Sequence, residues 1–411
     1  MSTTISNVCS SQVALGGSLV LSQDFKDRCD SLVGAAVTPA NPTLTDQARN
    51  AVQTVSPEQV IANGTQATRV TIGQLNALQA SIDARLNFLF ASLTPTRTTL
   101  LAATSLAGAT GGAASADAGT VGPIGLWFNN SYIVGNVDSD FNQIGYDFGN
   151  WAFTLGGDYK VLENLAVGAA FSYQMNSASF NQSLGSTDTD VFTGSIYASY
   201  QPIENLHIDG TASYGGSNYD ASRNISYVIS GNDLTSGDVV NTRATSSTGG
   251  YHYSFSARAG YDIPIDALTV QPYARFNYYA LTVDPYSEKG GDGWGLKVGQ
   301  QGVRSLITSL GTQVSYSFSL PWGVLIPQVY GEWLHQFKDN QRGFSASFIG
   351  DPSSQIFTIT GQGPTRNFGN VGIRVVGSFA HGLSGYLSYD ALVGYTNINS
   401  NRVMLGGRWE F

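Results

Sequence analysis

Residues 402–411, RVMLGGRWEF, bring the chain to its last residue inside an alternating pattern. Val403, Leu405, Gly407, Trp409 and Phe411 share one parity, and Arg402, Met404, Gly406, Arg408 and Glu410 take the other. Chain ends are ordinarily frayed and polar. Here a period of two, that of a β-strand with unlike faces, persists to Phe411. A soluble edge strand with such a face exposed invites aggregation. The pattern predicts instead a strand whose apolar face meets lipid and which is paired on both sides.

Composition points the same way. Of 411 residues, 12% are charged and 42% hydrophobic, with 48 Gly, 21 Tyr and 20 Phe. No run approaches the ~20 apolar residues that a membrane helix needs. Low charge with many aromatics and glycines fits alternating strands better than a helical bundle or a disordered chain. A net charge of −9 with no basic stretch argues against nucleic-acid binding.

Two regions differ in period. In residues 1–119, LSQDFKDRCDSLVGA and TLTDQARNAVQTV carry helical spacing, and residues 57–93 form the longest helix candidate. Ser56-Pro57-Glu58 gives that candidate an N-cap, a first-turn proline and an early acid. Ile72, Leu75, Leu78, Ile82, Leu86 and Leu89 then recur at steps of three and four. A small-residue linker follows Pro95. Cys9 and Cys29 lie close enough to favour a disulfide, made in an oxidising compartment, over two unrelated thiols. The start, MSTTISNVCSSQ, has no charged region followed by an apolar one, so an export signal is expected upstream of residue 1.

In residues 120–411 the period becomes two. Leu165, Val167, Ala169, Phe171, Tyr173 and Met175 share a face in LAVGAAFSYQM, and YHYSFSARAGYDI, LTVQPYARFNYYA and SLITSLGTQVSYSFSL alternate likewise. Charges fall on the polar parity, among them Arg258, Arg275, Glu332, Arg374, Asp390 and Arg408. Alternation alone also suits a soluble sandwich. Mid-strand charges suit a wet lumen, and aromatics near strand ends suit an interfacial girdle. Five tight turns (VLEN, QPIEN, IPIDA, LPWG, AHGL) interleave with six polar connections around 136–146, 177–188, 218–250, 282–304, 338–366 and 396–401. They predict an all-β, antiparallel transmembrane barrel of about 12 strands with both chain ends on the short-turn side.

The stretches beginning GLWFNNSYIVGNVDSDFNQIGYDFGNWAFTLGG, GVLIPQVYGEWLHQFKDNQRGF and GLSGYLSYDALVGYTNINSNRVMLGGRWEF resemble the autotransporter translocator domain of type V secretion. The resemblance covers about 122–411. It implies a Gram-negative outer-membrane location and an assembly signal at the C-terminus, matched by Gly406, Trp409 and Phe411. Met404 departs from that pattern, standing where a polar residue is usual. The resemblance also implies an N-terminal passenger and a helix threading the lumen, a role open to 57–93. Packing outside the pore, or membership of a small unit with the cysteine pair, stands beside that reading.

Catalytic chemistry finds little footing. GGSL at 16–19 and CDSL at 29–32 look superficially like a lipase nucleophile motif, but residues 1–119 hold no histidine to serve as base. His252 and His335 fall near a rim with Asp190, Asp220, Asp284 and Asp339, without paired spacing. No metal-ligand spacing is seen, and GGDGWG at 290–295 reads as a flexible surface loop. Autotransporters that cleave themselves use lumenal acids beside an Asn-Asn bond; Asn129-Asn130 lies inside the first strand, so no such cleavage is expected. Lumenal Asp158, Asp209, Asp262, Arg402 and Glu410 read as solvating charges that pair with one another.

The resulting expectation is a non-enzymatic, monomeric translocator that needs no cofactor. Its expected partners are outer-membrane lipid and lipopolysaccharide, the barrel assembly machinery and its own N-terminal passenger. Two other readings are a passive pore with a periplasmic or lumenal plug, and a surface adhesin acting through loops 218–250 and 338–366.

Overall fold

The computed structural model describes residues 9, 23–36, 42–55, 123–139, 144–231, 237–338, 343–351, 354–360 and 363–411. The helix expected over 57–93, the linker after it and Asp339 lie outside the described residues. Twelve long strands follow one another: β1 (Ile124–Val137), β2 (Tyr146–Leu162), β3 (Leu165–Phe180), β4 (Gly185–Ile203), β5 (Leu206–Ile229) and β6 (Asp238–Tyr261). They continue with β7 (Leu268–Val283), β8 (Gln301–Tyr316), β9 (Gly323–Gln336), β10 (Asn367–Phe379), β11 (Leu383–Val393) and β12 (Ile398–Glu410). Each pairs antiparallel with the next, and β12 returns to β1 in unbroken register from Gly125 opposite Glu410 to Val137 opposite Ile398. The chain is thus a closed, 12-stranded antiparallel barrel.

Closure sorts the side chains. On β12 and its neighbours Val403, Leu405, Trp409, Leu387, Tyr389, Ile373 and Val375 point outward and are exposed. The opposite parity points inward and is polar: Asn129, Ser131, Thr154, Ser172, Gln174, Thr193, Ser213, Ser254 and Ser309 are all buried inside the barrel. Outward rings pair at both ends of the wall, Trp322 with Phe379 at 5.4 Å and Tyr173 with Phe192 at 4.9 Å.

Four of the expected connections are more ordered than their composition suggests. Residues 218–250 hold the ends of β5 and β6 around a short connection, so two 24-residue strands stand well above the barrel. Likewise 177–188 is mostly strand. In 282–304 and 338–366, Tyr286–Ser287, Leu296–Val298, Gly343–Phe348 and Phe357–Thr360 pair into a separate antiparallel sheet.

The physical reason is an inversion of polarity along the strands. Low on β5 the inward parity holds His207, Asp209, Thr211 and Ser213 against outward Ile208 and Tyr214. Higher up the same inward parity holds Tyr219, Ile225, Tyr227 and Ile229, while outward positions become Asn218, Asp220 and Ser226. Above the membrane the outer face meets water and the inner face meets protein, so the pattern changes sign without changing period. Elsewhere the inward parity turns apolar at the same end, with Val137, Tyr146, Ala178 and Phe180 in one cluster and Leu281, Val283 and Val303 in another.

Two 14-residue helices occupy this end, α1 (Gln23–Ala36) and α2 (Pro42–Val55). Pro42 sits at the first position of α2, where its missing N–H costs nothing. Phe25, Cys29, Leu32 and Ala35 line one stripe of α1, and Leu44, Ala48, Ala51 and Val55 one of α2. These stripes share a single core with Ile225, Tyr227, Ile229, Val240, Trp294, Leu296 and Phe348. Cys9 is disulfide-bonded to Cys29 within it. The GGDGWG stretch is therefore no loose surface loop: Trp294 is fully buried, 5.6 Å from the ring of Phe25 and 5.4 Å from that of Phe348.

The membrane-facing and water-facing parts of the outer surface should respond differently to charge. Leu387→Arg places a cation on the lipid face, where the cost is ~2–4 kcal/mol at the bilayer midplane. The fraction of heat-modifiable barrel on semi-native gels should fall sharply, whereas Val228→Arg, on the outward face of the raised hairpin, should leave it unchanged.

The lumen wall as the candidate functional site

The inward parity collects every lumenal charge singled out in the sequence. Arg258 stacks over Tyr273 at 4.6 Å, donates to Gln271 at 2.8 Å and lies 3.8 Å from Asp209, which Ser199 also contacts. Gln271 in turn donates to Asp262 at 2.7 Å, and Asp262 holds His207 at 2.9 Å. Across Tyr273, Arg275 reaches Glu332 at 3.7 Å, and Glu332 accepts from Tyr273 and Asn370 at 3.3 Å each. Further round, Arg374 lies over Tyr330 at 5.4 Å and Tyr386 at 5.7 Å. Arg402 donates to Asp390 at 3.0 Å, and Arg408 pairs with Glu410. Just past the β1–β12 seam Asp158 accepts from Tyr197 at 3.1 Å, and Tyr197 from Trp127 at 2.7 Å.

Buried charges need partners, and here the wall supplies most of them from adjacent strands, with Arg408 and Glu410 pairing along one strand. A polypeptide in the lumen meets a polar surface whose charges are largely engaged with the wall itself. That suits passage of many sequences better than tight capture of one ligand. Among the described residues no group of three or more His, Cys, Asp or Glu could hold a metal ion.

The rim histidines do not form one site. His252 faces the lumen, fully buried, with Nε2 3.0 Å from Thr193 Oγ1. His335 has the outward parity, between Trp333 and Phe337 at 5.7 and 4.7 Å, with Nδ1 2.8 Å from Asn367. Of the nearby acids, Asp190 accepts from Tyr173 at 2.8 Å. In the CDSL stretch Ser31 is buried in α1 and donates to the Gly237 carbonyl at 3.4 Å. The Asn129-Asn130 bond lies within β1, with Gly406 opposite Asn129 on one side and Thr154 on the other.

A feature that sequence reasoning missed is the seating of inward rings on glycines of the next strand. A Cβ on Gly156 would meet Trp127 at 2.4 Å, on Gly168 Tyr197 at 2.3 Å, and on Gly311 Tyr273 at 2.5 Å. Gly372 gives the same room to Tyr330 at 2.5 Å and Gly406 to Tyr386 at 2.4 Å. The available signal was a large ring on the polar parity of one strand and a glycine on that of its neighbour. Gly406, Trp409 and Phe411 thus divide between two faces. Gly406 makes space for Tyr386, whose hydroxyl accepts from Asn129 across the β1–β12 seam, while Trp409 and Phe411 lie outside with ring centroids 4.9 Å apart. Phe411 also exchanges backbone hydrogen bonds with Ile124 at 3.0 and 3.3 Å. Met404 is fully buried on the inward parity.

An apolar-coated, closed barrel of twelve strands with a charged lumen is an outer-membrane β-barrel. The family model of the autotransporter β-domain matches residues 126–390, and the chain belongs to that family. It is therefore a translocator domain of the Gram-negative outer membrane, passenger secretion being the family role. Among curated relatives, Lipase 1 of Photorhabdus luminescens is 27% identical over 217 residues, 50% of this chain and 31% of its own length. Esterase EstA of Pseudomonas aeruginosa is 27% identical over 250 residues, 58% of this chain and 35% of its own. The chain thus spans about a third of these relatives. The translocator domain of the autotransporter NalP from Neisseria meningitidis shares the fold, with TM-score 0.54 and 16% identity over 82% of this chain and 98% of that one.

The close approach at Gly406 makes a test. Gly406→Ala should slow assembly and lower the heat-modifiable fraction. In a Tyr386→Ala background the same substitution should add little, since the ring it strikes is gone.

Proposed function

We propose that this barrel carries an N-terminal segment of its own chain through the lumen to the cell surface and anchors it there. One observation carries the reading. The α1–α2 unit sits at the long-connection end of the barrel, whereas β1 begins at the short-turn end. In this reading the chain passes between those two ends through the lumen, which offers a polar route where the outer wall is lined with lipid. Thr193, Ser309 and Met404 are fully buried inside a barrel of more strands than side chains alone fill, which supports an occupied lumen. A helix of about 27 residues, the span expected within 57–93, rises ~40 Å and crosses a bilayer with its headgroups.

In this reading the long connections face outside the cell and the short turns the periplasm, as in bacterial outer-membrane barrels. The chain acts as a monomeric conduit and anchor and not as a catalyst. Lipid and lipopolysaccharide surround it, the assembly machinery reads the C-terminal strand, and nucleic acid has no part. Activities such as those in the names of Lipase 1 and EstA would belong to a passenger.

The test adds an epitope tag before Cys9 and an export signal upstream, then probes intact cells. Antibody binding and removal of the tag by external protease are the expected result. A tag reached only after the outer membrane is broken would leave a pore with a periplasmic plug.

A further inference from the structure

The core around Trp294 is made from two parts of the chain that meet at the outer rim. One is prearranged by the barrel's own connections. Arg223 donates twice to Glu288, at 3.1 and 2.7 Å, and once to the Trp294 carbonyl at 2.8 Å, and Glu288 also accepts from the Leu296 N–H at 2.9 Å. Arg223 and Glu288 are both buried. Trp294 Nε1 donates to Tyr227 at 2.9 Å, and Tyr227 donates to Asp238 at 2.9 Å. Burial, with help from Asp238, drives the Tyr227 hydroxyl well above the ordinary tyrosine range, so it stays a neutral donor.

The other part is the helix pair. Fourteen-residue helices are marginal alone in water, and α1 and α2 gain their core only against this platform. The fit is specific as well as apolar. Arg28 of α1 pairs with Asp238, whose side chain is 5% exposed. Gln47 of α2 donates to Ser230 Oγ at 3.1 Å and accepts from its N–H at 2.8 Å. Gly293, at φ +90°, brings backbone against backbone: a Cβ there would lie 3.0 Å from Phe25 N and Cα.

We propose that the outer connections of the barrel are a docking site for the exported helical hairpin, and that docking retains the segment at the rim. The proposal rests on export through the lumen and adds to it a receptor built into the translocator. The matching ligand is an amphipathic helix pair with an aromatic residue at Phe25, a cation at Arg28 and an amide at Gln47. The site folds its ligand on arrival, so the segment gains its core only outside. Disulfide closure from Cys9 to Cys29 ties the preceding chain to the docked helix.

The experiment uses the full chain, tagged before Cys9, on intact cells treated with external proteinase K. Cleavage within 23–55 is followed by mass spectrometry, and heat-modifiability reports the barrel. Asp238→Arg should leave the barrel folded and the tag at the surface but speed cleavage about tenfold or more, because an unpartnered charge is left in a buried site. Arg28→Asp should do the same, and the double exchange should restore resistance. Gly293→Leu, which excludes the α1 backbone without touching the ion pair, should also open the helices. A surface tag with cleavage unchanged in all three single variants would overturn the docking site alone. A parent tag that never reaches the surface would overturn the export reading and the docking site with it.

Discussion

Inside a bilayer a strand has no water to satisfy its N–H and C=O groups, and each unpaired group costs several kcal/mol. The pairing of β12 with β1 is what removes the last unpaired edges. Everything else depends on that seam. Once it closes, parity alone decides which side chains meet lipid and which meet the lumen. The seam also explains why the last residue is held: Phe411 completes the ladder with Ile124 while its ring lies outside beside Trp409.

Closure also means that the lumen wall must settle its own electrostatics. Arg258, Arg275 and Arg374 each lie over a tyrosine, and Arg258 and Arg275 also lie beside an amide or an acid of a neighbouring strand. Tyr273 serves both Arg258 and Arg275, and Gly311 gives its ring the space to do so. The glycines are therefore part of the electrostatic arrangement. Without them the rings could not lie flat along the wall, and the guanidinium groups would lose the surfaces they rest on.

The period-two pattern of 403–411 and of 165–175 carried the barrel, because lipid imposes a fixed sign, apolar outward and polar inward. The same rule misread 218–250. There Asn218, Asp220 and Ser226 face water while Tyr227 and Ile229 face protein, so the alternation survives with its sign reversed. A reader looking for apolar-outward strands sees a polar loop. Trp294 was hidden for another reason: glycines at 290, 291, 293 and 295 look like slack chain, yet Gly293 is there because a helix backbone needs its space. The lumenal charges were visible as a set, but which partners they take depends on strand register, which no single strand specifies.

The disulfide has a mechanical consequence at the rim. Cys29 follows Arg28 directly, and Arg28 grips Asp238 at the outer tip of β6. Any pull on the chain before Cys9 passes through the bond to Cys29 without extending residues 10–28. The load then falls on the side of α1 that is already fixed by the ion pair and by Phe25 against Gly293, Trp294 and Phe348. From there it reaches β5 and β6, whose lower halves are hydrogen-bonded on both sides within the barrel. Under the export reading, a surface segment attached by two short helices would in this way be tied to the most extensively paired strands of the membrane anchor.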